Sequence, residues 1–473
     1  MPVSAPPAGP PAGKWWVLLA IGIGTFMTAL DGSVVNTILP LVGKTHNSSI
    51  AGVEWVVTIY LLVLSGLLLS FGRLGDLRGH RQVYLGGFGI FIASSALCGL
   101  AGSLGWLIAL RAVQALGAAM LAANSPAILT GAFPARQRGR ALGLQATMTY
   151  LGLTAGPSLG GWLAENFGWP WVFYINVPIG LLAFWLSWRF IAADHGQRSQ
   201  ESFDLRGAAT FIAALSLLLL GLNQGHNLGW TSWPVVGALL TAAILAVGFI
   251  RIEQSTPYPM LDLSLFQNRT FSAATGAAIL NYICVYSITF LMPFHLLEAR
   301  GFSPARAGLI LTAMPVVMAL VAPVSGALSD RIGTRLPSLL GMIFLSAGLA
   351  LLATLRLDAP VSWIAAALGL AGLGIGIFVS PNTSALMGAA PRHRQGIASG
   401  ILASCRNIGM VLGVGLAGAV FTTVLTRQAV QDPAAVLTAI EASFWVAAAI
   451  AAAGAVLAAI RPAAPGKAEH QTE

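Results

Sequence analysis

Gly72-Arg-Leu-Gly-Asp-Leu-Arg-Gly-His-Arg81 is a charged turn set between two long apolar runs. A second copy, Gly326-Ala-Leu-Ser-Asp-Arg-Ile-Gly-Thr-Arg335, begins 254 positions later (326 minus 72). Both read G-x-L-x-D-x-x-G-x-R. A second pair agrees: Pro134-Ala-Arg-Gln-Arg-Gly-Arg-Ala-Leu-Gly143 and Pro391-Arg-His-Arg-Gln-Gly-Ile-Ala-Ser-Gly400 share P-x-x-x-x-G-x-A-x-G at an offset of 257 (391 minus 134). Similar offsets at two sites mean that the chain is a duplication. Gly72 and Gly79 suit a tight turn and a close helix approach.

Composition fixes the solvent. Of the 473 residues, 56% are hydrophobic and only 9% are charged, against about a quarter charged in soluble domains. Such a chain belongs in a bilayer, with its charges confined to loops or working sites. The net charge of +9 does not signal nucleic acid, because Lys and Arg sit in short loops between apolar runs rather than on one face. Cys98, Cys284 and Cys405 fall inside apolar runs and read as small core residues.

A bilayer core of about 30 Å takes about 20 apolar residues per helix. On that measure fourteen spans are expected: 15–40, 51–71, 82–102, 104–130, 140–164, 170–189, 206–223, 233–250, 270–297, 305–328, 336–355, 361–388, 396–425 and 437–460. With the N-terminus inside, the inner segments hold eighteen Lys and Arg and the outer loops five, with Arg111 and Arg406 inside spans. That bias sets both termini on the cytoplasmic side. The chain then divides into a Pro/Ala/Gly-rich, disordered N-terminus (1–13), a first six-helix half (14–192), a linker loop with two extra helices (193–255), a second six-helix half (256–460) and a cytoplasmic tail (461–473). Both copies of each motif fall on one side, so the halves are parallel repeats.

Further motifs are Leu30-Asp-Gly-Ser-Val-Val-Asn-Thr-Ile-Leu-Pro40, Leu110-Arg-Ala-Val-Gln-Ala-Leu-Gly117, Gly152-Leu-Thr-Ala-Gly-Pro-Ser-Leu-Gly-Gly161 and Trp169-Pro-Trp-Val-Phe-Tyr-Ile-Asn-Val-Pro-Ile-Gly180. With the turn at Gly72, they make the chain resemble, over nearly its whole length, the fourteen-helix drug:proton antiporter family of the major facilitator superfamily. The resemblance implies an all-α integral membrane protein of the major facilitator fold, two six-helix halves with two inserted central helices. It also implies proton-coupled export of amphipathic, often cationic or aromatic, small molecules such as drugs by alternating access, across the bacterial cytoplasmic (inner) membrane. No cofactor is expected beyond the proton gradient. The expected partners are a small-molecule substrate, protons and the lipid bilayer, with no nucleic acid, and a monomer is expected. A lipid or metabolite carrier of the same fold and a non-transporting receptor stay open as alternatives.

Several residues stand out against the apolar background. Asp31 lies inside the first span and Arg111 inside the fourth, at similar depth, each a partner for the other. Burial disfavours the charged form of a carboxylate. A group that is neutral facing one side and charged facing the other is what proton coupling needs, and the resemblance assigns Asp31 and Arg111 to that role. Glu54 and Tyr60 on the second span, with Asn281, Tyr282 and Tyr286 on the ninth, are candidate cavity residues for flat or cationic molecules. A solvated rim position is the other reading of Glu54. Gly152, Gly156 and Gly160, at four-residue spacing, allow close helix approach. Pro157 removes a backbone donor. Together with Gly161 these residues resemble the antiporter signature. Asp76, Arg81, Asp330 and Arg406 form the expected inner gate, where the resemblance pairs Asp76 with cationic groups and with the helix beginning near Gly396. No phosphate-binding loop, metal cluster or activated nucleophile is evident, so no enzyme activity is expected.

Overall fold

The computed structural model describes residues 13–48, 50–193, 203–229, 231–259, 261–302, 304–428 and 433–461. Among them regular structure is helical throughout, and fourteen helices have fifteen residues or more. They are α1 (Lys14–Thr45), α2 (Ile50–Arg78), α3 (His80–Gly99), α4 (Leu104–Ala132), α5 (Arg138–Phe167), α6 (Asn176–Phe190), α7 (Leu205–Leu228), α8 (Trp233–Ser255), α9 (Arg269–Pro293), α10 (Ala313–Ile332), α11 (Arg335–Ala353), α12 (Val361–Ala389), α13 (Gln395–Leu425) and α14 (Pro433–Ala459). Short turns Trp171–Tyr174 and Pro304–Leu311 lead into α6 and α10.

A helix satisfies its own backbone, which lipid cannot do for it. Twelve helices of the described residues are long and apolar enough to cross a membrane. The expected spans outside this set correspond to α5 and α7. α5 has 30 residues but dilutes its apolar content with Gln145, Thr147, Thr149 and Thr154. The described apolar part of α7 ends at Gly221. The outward faces are apolar. Trp185, Trp188, Leu240, Ile244, Leu320 and Val324 are each more than half exposed, a surface that belongs in lipid and makes the chain a multi-pass membrane protein.

α1–α6 pack as one bundle around Met27, Tyr84, Phe88 and Phe91. α9–α14 pack as a second around Met342, Leu345, Phe378 and Phe444. α7 and α8 lie on each other, and α7 rests where the bundles meet, Leu215 and Leu219 packing on Leu62 of α2 and on Ile408 and Val411 of α13. Arg461 is buried and holds the end of α14 to α11 and α12 through Ser338 (3.3 Å) and Asn382.

The duplicated motifs are the joints between the bundles. Gly79 (φ 102°) and Gly333 (φ 86°) end α2 and α10 in the left-handed region, where a side chain would be strained. α2 crosses α13 so closely that a Cβ on Gly72 would collide with the Gly396 carbonyl, and one on Gly396 with that of Gly72. Gly326 of α10 and Gly139 of α5 stand in the same relation. Each G-x-L-x-D copy thus meets the P-x-x-x-x-G copy of the opposite bundle.

Candidate functional site

Asp31 of α1 is the centre of a sealed polar network. Its Oδ2 accepts from Arg111 Nη1 at 2.7 Å, and its Oδ1 accepts from Gln114 Nε2 at 2.9 Å and Asn176 Nδ2 at 2.8 Å. Arg111 Nη1 also donates to Gln114 Oε1 at 2.6 Å, and its Nε donates to the Val56 carbonyl at 3.3 Å. Gln114 Nε2 reaches Ser95 Oγ at 2.7 Å. Asp31, Ser95, Gln114 and Asn176 are wholly buried and Arg111 is 1% exposed. A buried ion pair holds only if its remaining donors and acceptors are met, and the three donors on this one carboxylate do that. Five helices of the first bundle (α1, α2, α3, α4 and α6) contribute. The guanidinium also lies 4.0 Å from the Tyr60 ring centroid, within cation–π range.

Sequence reasoning brought out the two charges and missed Gln114, Ser95 and Asn176. Gln114 follows Arg111 by three residues and so shares its helix face. Asn176 lies inside the Trp169–Gly180 motif. Both carried a signal; Ser95, one serine in an apolar run, carried none.

The glycines of α5 hold it against α1 around Asp31. A Cβ on Gly152 would lie 2.6 Å from the Phe26 carbonyl oxygen, and one on Gly156 would overlap Ser33 Oγ. Ser33 Oγ in turn donates to the Gly152 carbonyl at 3.3 Å. Gly160 is buried, while Gly161 is exposed, with nothing within 4 Å of its Cβ position. The Pro157 side chain lies outside the described residues; α5 runs unbroken through that position.

A second cluster lies between the bundles. α2 and α13 run antiparallel, Gly72 meeting Gly396 and Leu68 meeting Gly400, so the register places Arg406 opposite the stretch of α2 that holds Tyr60. Arg406 stands ten residues past Gly396, about 15 Å along the helix. Tyr282 of α9 meets Gly409, three residues past Arg406 on α13, Tyr286 stands one turn further along α9, and Tyr150 of α5 packs on the second bundle's core. Assignment of Arg406 to the gate is therefore corrected: its depth is that of the tyrosines, since ten residues of helix separate it from the turn. Asn281 leaves the cavity set as well. It is fully buried and donates to Met342 Sδ at 3.5 Å, because its position on α9 faces α11 and not the side of Tyr282 and Tyr286. The Glu54 side chain lies outside the described residues.

At the turns the carboxylates bridge the bundles. Asp76 accepts from the backbone N–H of Gly396 (2.8 Å) and Ile397 (2.9 Å), in the first turn of α13. Asp330 accepts from Gly139 (2.9 Å) and Arg140 (3.0 Å), in the first turn of α5. Free N–H groups and the helix dipole favour an anion there. His80 Nε2 lies 3.4 Å from Asp76, and its Nδ1 lies 2.8 Å from Asn124 Oδ1. Arg81 donates to the Trp188 carbonyl at 2.6 Å, a bond in the last turn of α6 and within the first bundle.

Paired helical bundles with a buried ion pair inside one and motif joints between them are the build of a membrane transporter, and the chain belongs to the Major Facilitator Superfamily, whose family model matches residues 21–268 and 274–473. It is a transporter and not an enzyme. It is 35% identical to the riboflavin transporter RibZ of Clostridioides difficile over 94% of this chain and 96% of that protein. It is 34% identical to the multidrug resistance protein Stp of Mycobacterium tuberculosis over 88% of this chain and 79% of that protein. The crystal structure of the human organic anion transporter MFSD10 superposes with a TM-score of 0.66 at 16% identity, over 96% of this chain and 100% of that one; that likeness carries the fold alone.

Proposed function

We propose that the chain is a proton-coupled antiporter that exports amphipathic, aromatic small molecules across the bacterial cytoplasmic membrane, working as a monomer with fourteen spans and both termini in the cytoplasm. The observation that carries this reading is the sealed Asp31–Arg111 pair with its three donors. A buried pair is weak evidence for stability, and a carboxylate that must be uncovered to take a proton suits a coupling site. A relative named as a riboflavin transporter supports an aromatic cargo, and one named as a multidrug resistance protein supports export of drugs. The riboflavin transporter's match along nearly its whole length favours, as a second reading, a metabolite carrier with a flavin-like cargo.

α5 supplies the mechanical link. Its middle is locked to α1 beside Asp31 by Gly152 and Gly156, and its first turn is held by Asp330 of the other bundle. Protonation of Asp31 removes the anion that ties α1 to α4 and α6. α1 and α5 are then free to move together, and the movement withdraws the α5 N-terminus from Asp330. Rocking of the bundles opens the cytoplasmic side as the proton leaves. Proton and cargo use separate places, so coupling runs through shape and not through direct competition.

Everted vesicles energised to an acidic interior provide the test, with a panel of fluorescent aromatic compounds, riboflavin among them. Uptake should collapse on adding a protonophore and should be lost in Asp31→Asn. Uptake indifferent to the protonophore, or an Asp31→Asn protein as active as the wild type, would remove the mechanism.

A further inference from the structure

Arg406 is a half-buried guanidinium at the depth of the membrane interior. Among the described residues it has no hydrogen-bond or ion-pair partner, and neither do the hydroxyls of Tyr60, Tyr150, Tyr282 and Tyr286. The contrast with Arg111, whose donors are met by Asp31, Gln114 and Val56, is sharp. An arginine carries five donors, accepts nothing and keeps its charge. Left in the interior of a membrane protein, it requires an acceptor.

The surroundings indicate what kind. Tyr60 and Tyr150 come from the first bundle, and Tyr282, Tyr286 and Arg406 from the second, so the group straddles the seam where alternating access puts cargo. Asp31 is committed to Arg111 and fully buried, and the pair cancels. Among the described residues, what remains at this seam is one positive charge in company with four phenol side chains. Glu54 lies in α2 six residues before Tyr60, about 9 Å of helix rise away.

We propose that Arg406 and these tyrosines form the ligand site, and that it selects an aromatic ligand bearing a carboxylate or phenolate over a cationic one. The ring stacks among the tyrosines while the anionic oxygen takes the guanidinium's hydrogen bonds. This deepens the export reading and rests on it for the aromatic class of cargo. It departs from the expectation of cationic cargo because the Asp31 carboxylate is closed within the first bundle.

The experiment uses two dyes with the same three-ring skeleton, fluorescein as its anion and rhodamine 6G, a cation. Binding to the purified full chain is read by fluorescence anisotropy in detergent, with no proton gradient. Fluorescein should bind the wild type roughly tenfold more tightly than rhodamine 6G, the worth of one charge-assisted hydrogen bond. Arg406→Gln should remove that advantage, and Arg406→Lys should keep most of it. Tighter binding of rhodamine 6G, binding of neither dye, or fluorescein affinity unchanged in Arg406→Gln each overturns the proposal. The wild-type comparison stands even if Arg406→Gln does not fold. Failure of proton coupling in vesicles would leave this result intact, and proton-driven transport of rhodamine 6G alone would sink the charge selection while sparing the antiporter.

Discussion

At the scale of single residues, the chain separates two arginines inside its spans, Arg111 and Arg406, by what meets them. Arg111 sits in a finished network, and removing one partner leaves an uncompensated charge that costs about 3–5 kcal/mol. Asp31→Ala or Arg111→Leu should each lower stability by about that much, while the double variant should lose less than the sum. The coupling expected for residues in one network is roughly 0.5–3 kcal/mol, read from denaturant unfolding of the purified protein in a mild detergent. Additive losses would mean that the pair does not act as a unit. Asp31 and Arg111 were legible because a charge in an apolar run has no neutral explanation. Gln114, Ser95 and Asn176 were not, since an uncharged polar side chain in a helix often satisfies itself on its own backbone. Arg406 shows the other limit. Its sequence neighbours gave its helix, but only the crossing of α2 and α13 places it opposite the stretch that holds Tyr60.

At the scale of elements, α5 explains why its hydropathy understates its place in the bundle. Where α5 is pressed between α1 and α10, glycine and threonine serve where leucine otherwise would, while Leu151, Leu153 and Trp162 face outward. Thr147 Oγ1, for example, donates to its own Gly143 carbonyl at 3.1 Å and to Ala319 of α10 at 2.9 Å. The four-residue glycine spacing was readable as a contact stripe; the identity of the partner, α1, was not, because the stripe states closeness without direction. The stripe also has an internal control. A methyl at Gly156 meets Ser33 and Val34, whereas one at Gly161 meets nothing within 4 Å. Overpacking costs about 1–3 kcal/mol. Gly156→Ala should therefore cut stability and transport together. Gly161→Ala should match the wild type in both, or gain slightly from alanine's helix propensity of up to about 1 kcal/mol. Equal tolerance at both positions, measured by thermal unfolding and vesicle uptake, would show that α1 and α5 are not locked there.

At the scale of the molecule, the duplication in the sequence becomes a pair of related clasps. Two offsets in the chain were enough to foresee two equivalent bundles. They did not foresee that each turn motif closes on the other bundle's second motif, a pairing that exists only across space. Both clasps join the same ends of the bundles, so together they hold that side shut. Each is a carboxylate on two helix N-terminal amides, and hydrogen bonds to a charged group are worth about 1.5–3 kcal/mol. Asp→Asn keeps an acceptor and loses the charge, so a shift near 1.4 kcal/mol, about tenfold in population, is expected from each clasp. Ser399 reports the opening: it is wholly buried, on the α13 face that carries Ala403 onto the first bundle's core. In a Ser399→Cys protein lacking Cys98, Cys284 and Cys405, Asp76→Asn should raise maleimide labelling roughly tenfold, with Asp330→Asn acting in the same direction and the double variant exceeding either. The Asp76 effect should be the larger, because His80 stands beside Asp76 at 3.4 Å where the second copy has Thr334. Transport should weaken in both while ligand binding persists. Labelling unchanged in either single variant would mean that one clasp holds nothing, and lost ligand binding would place Asp76 in the cargo site instead.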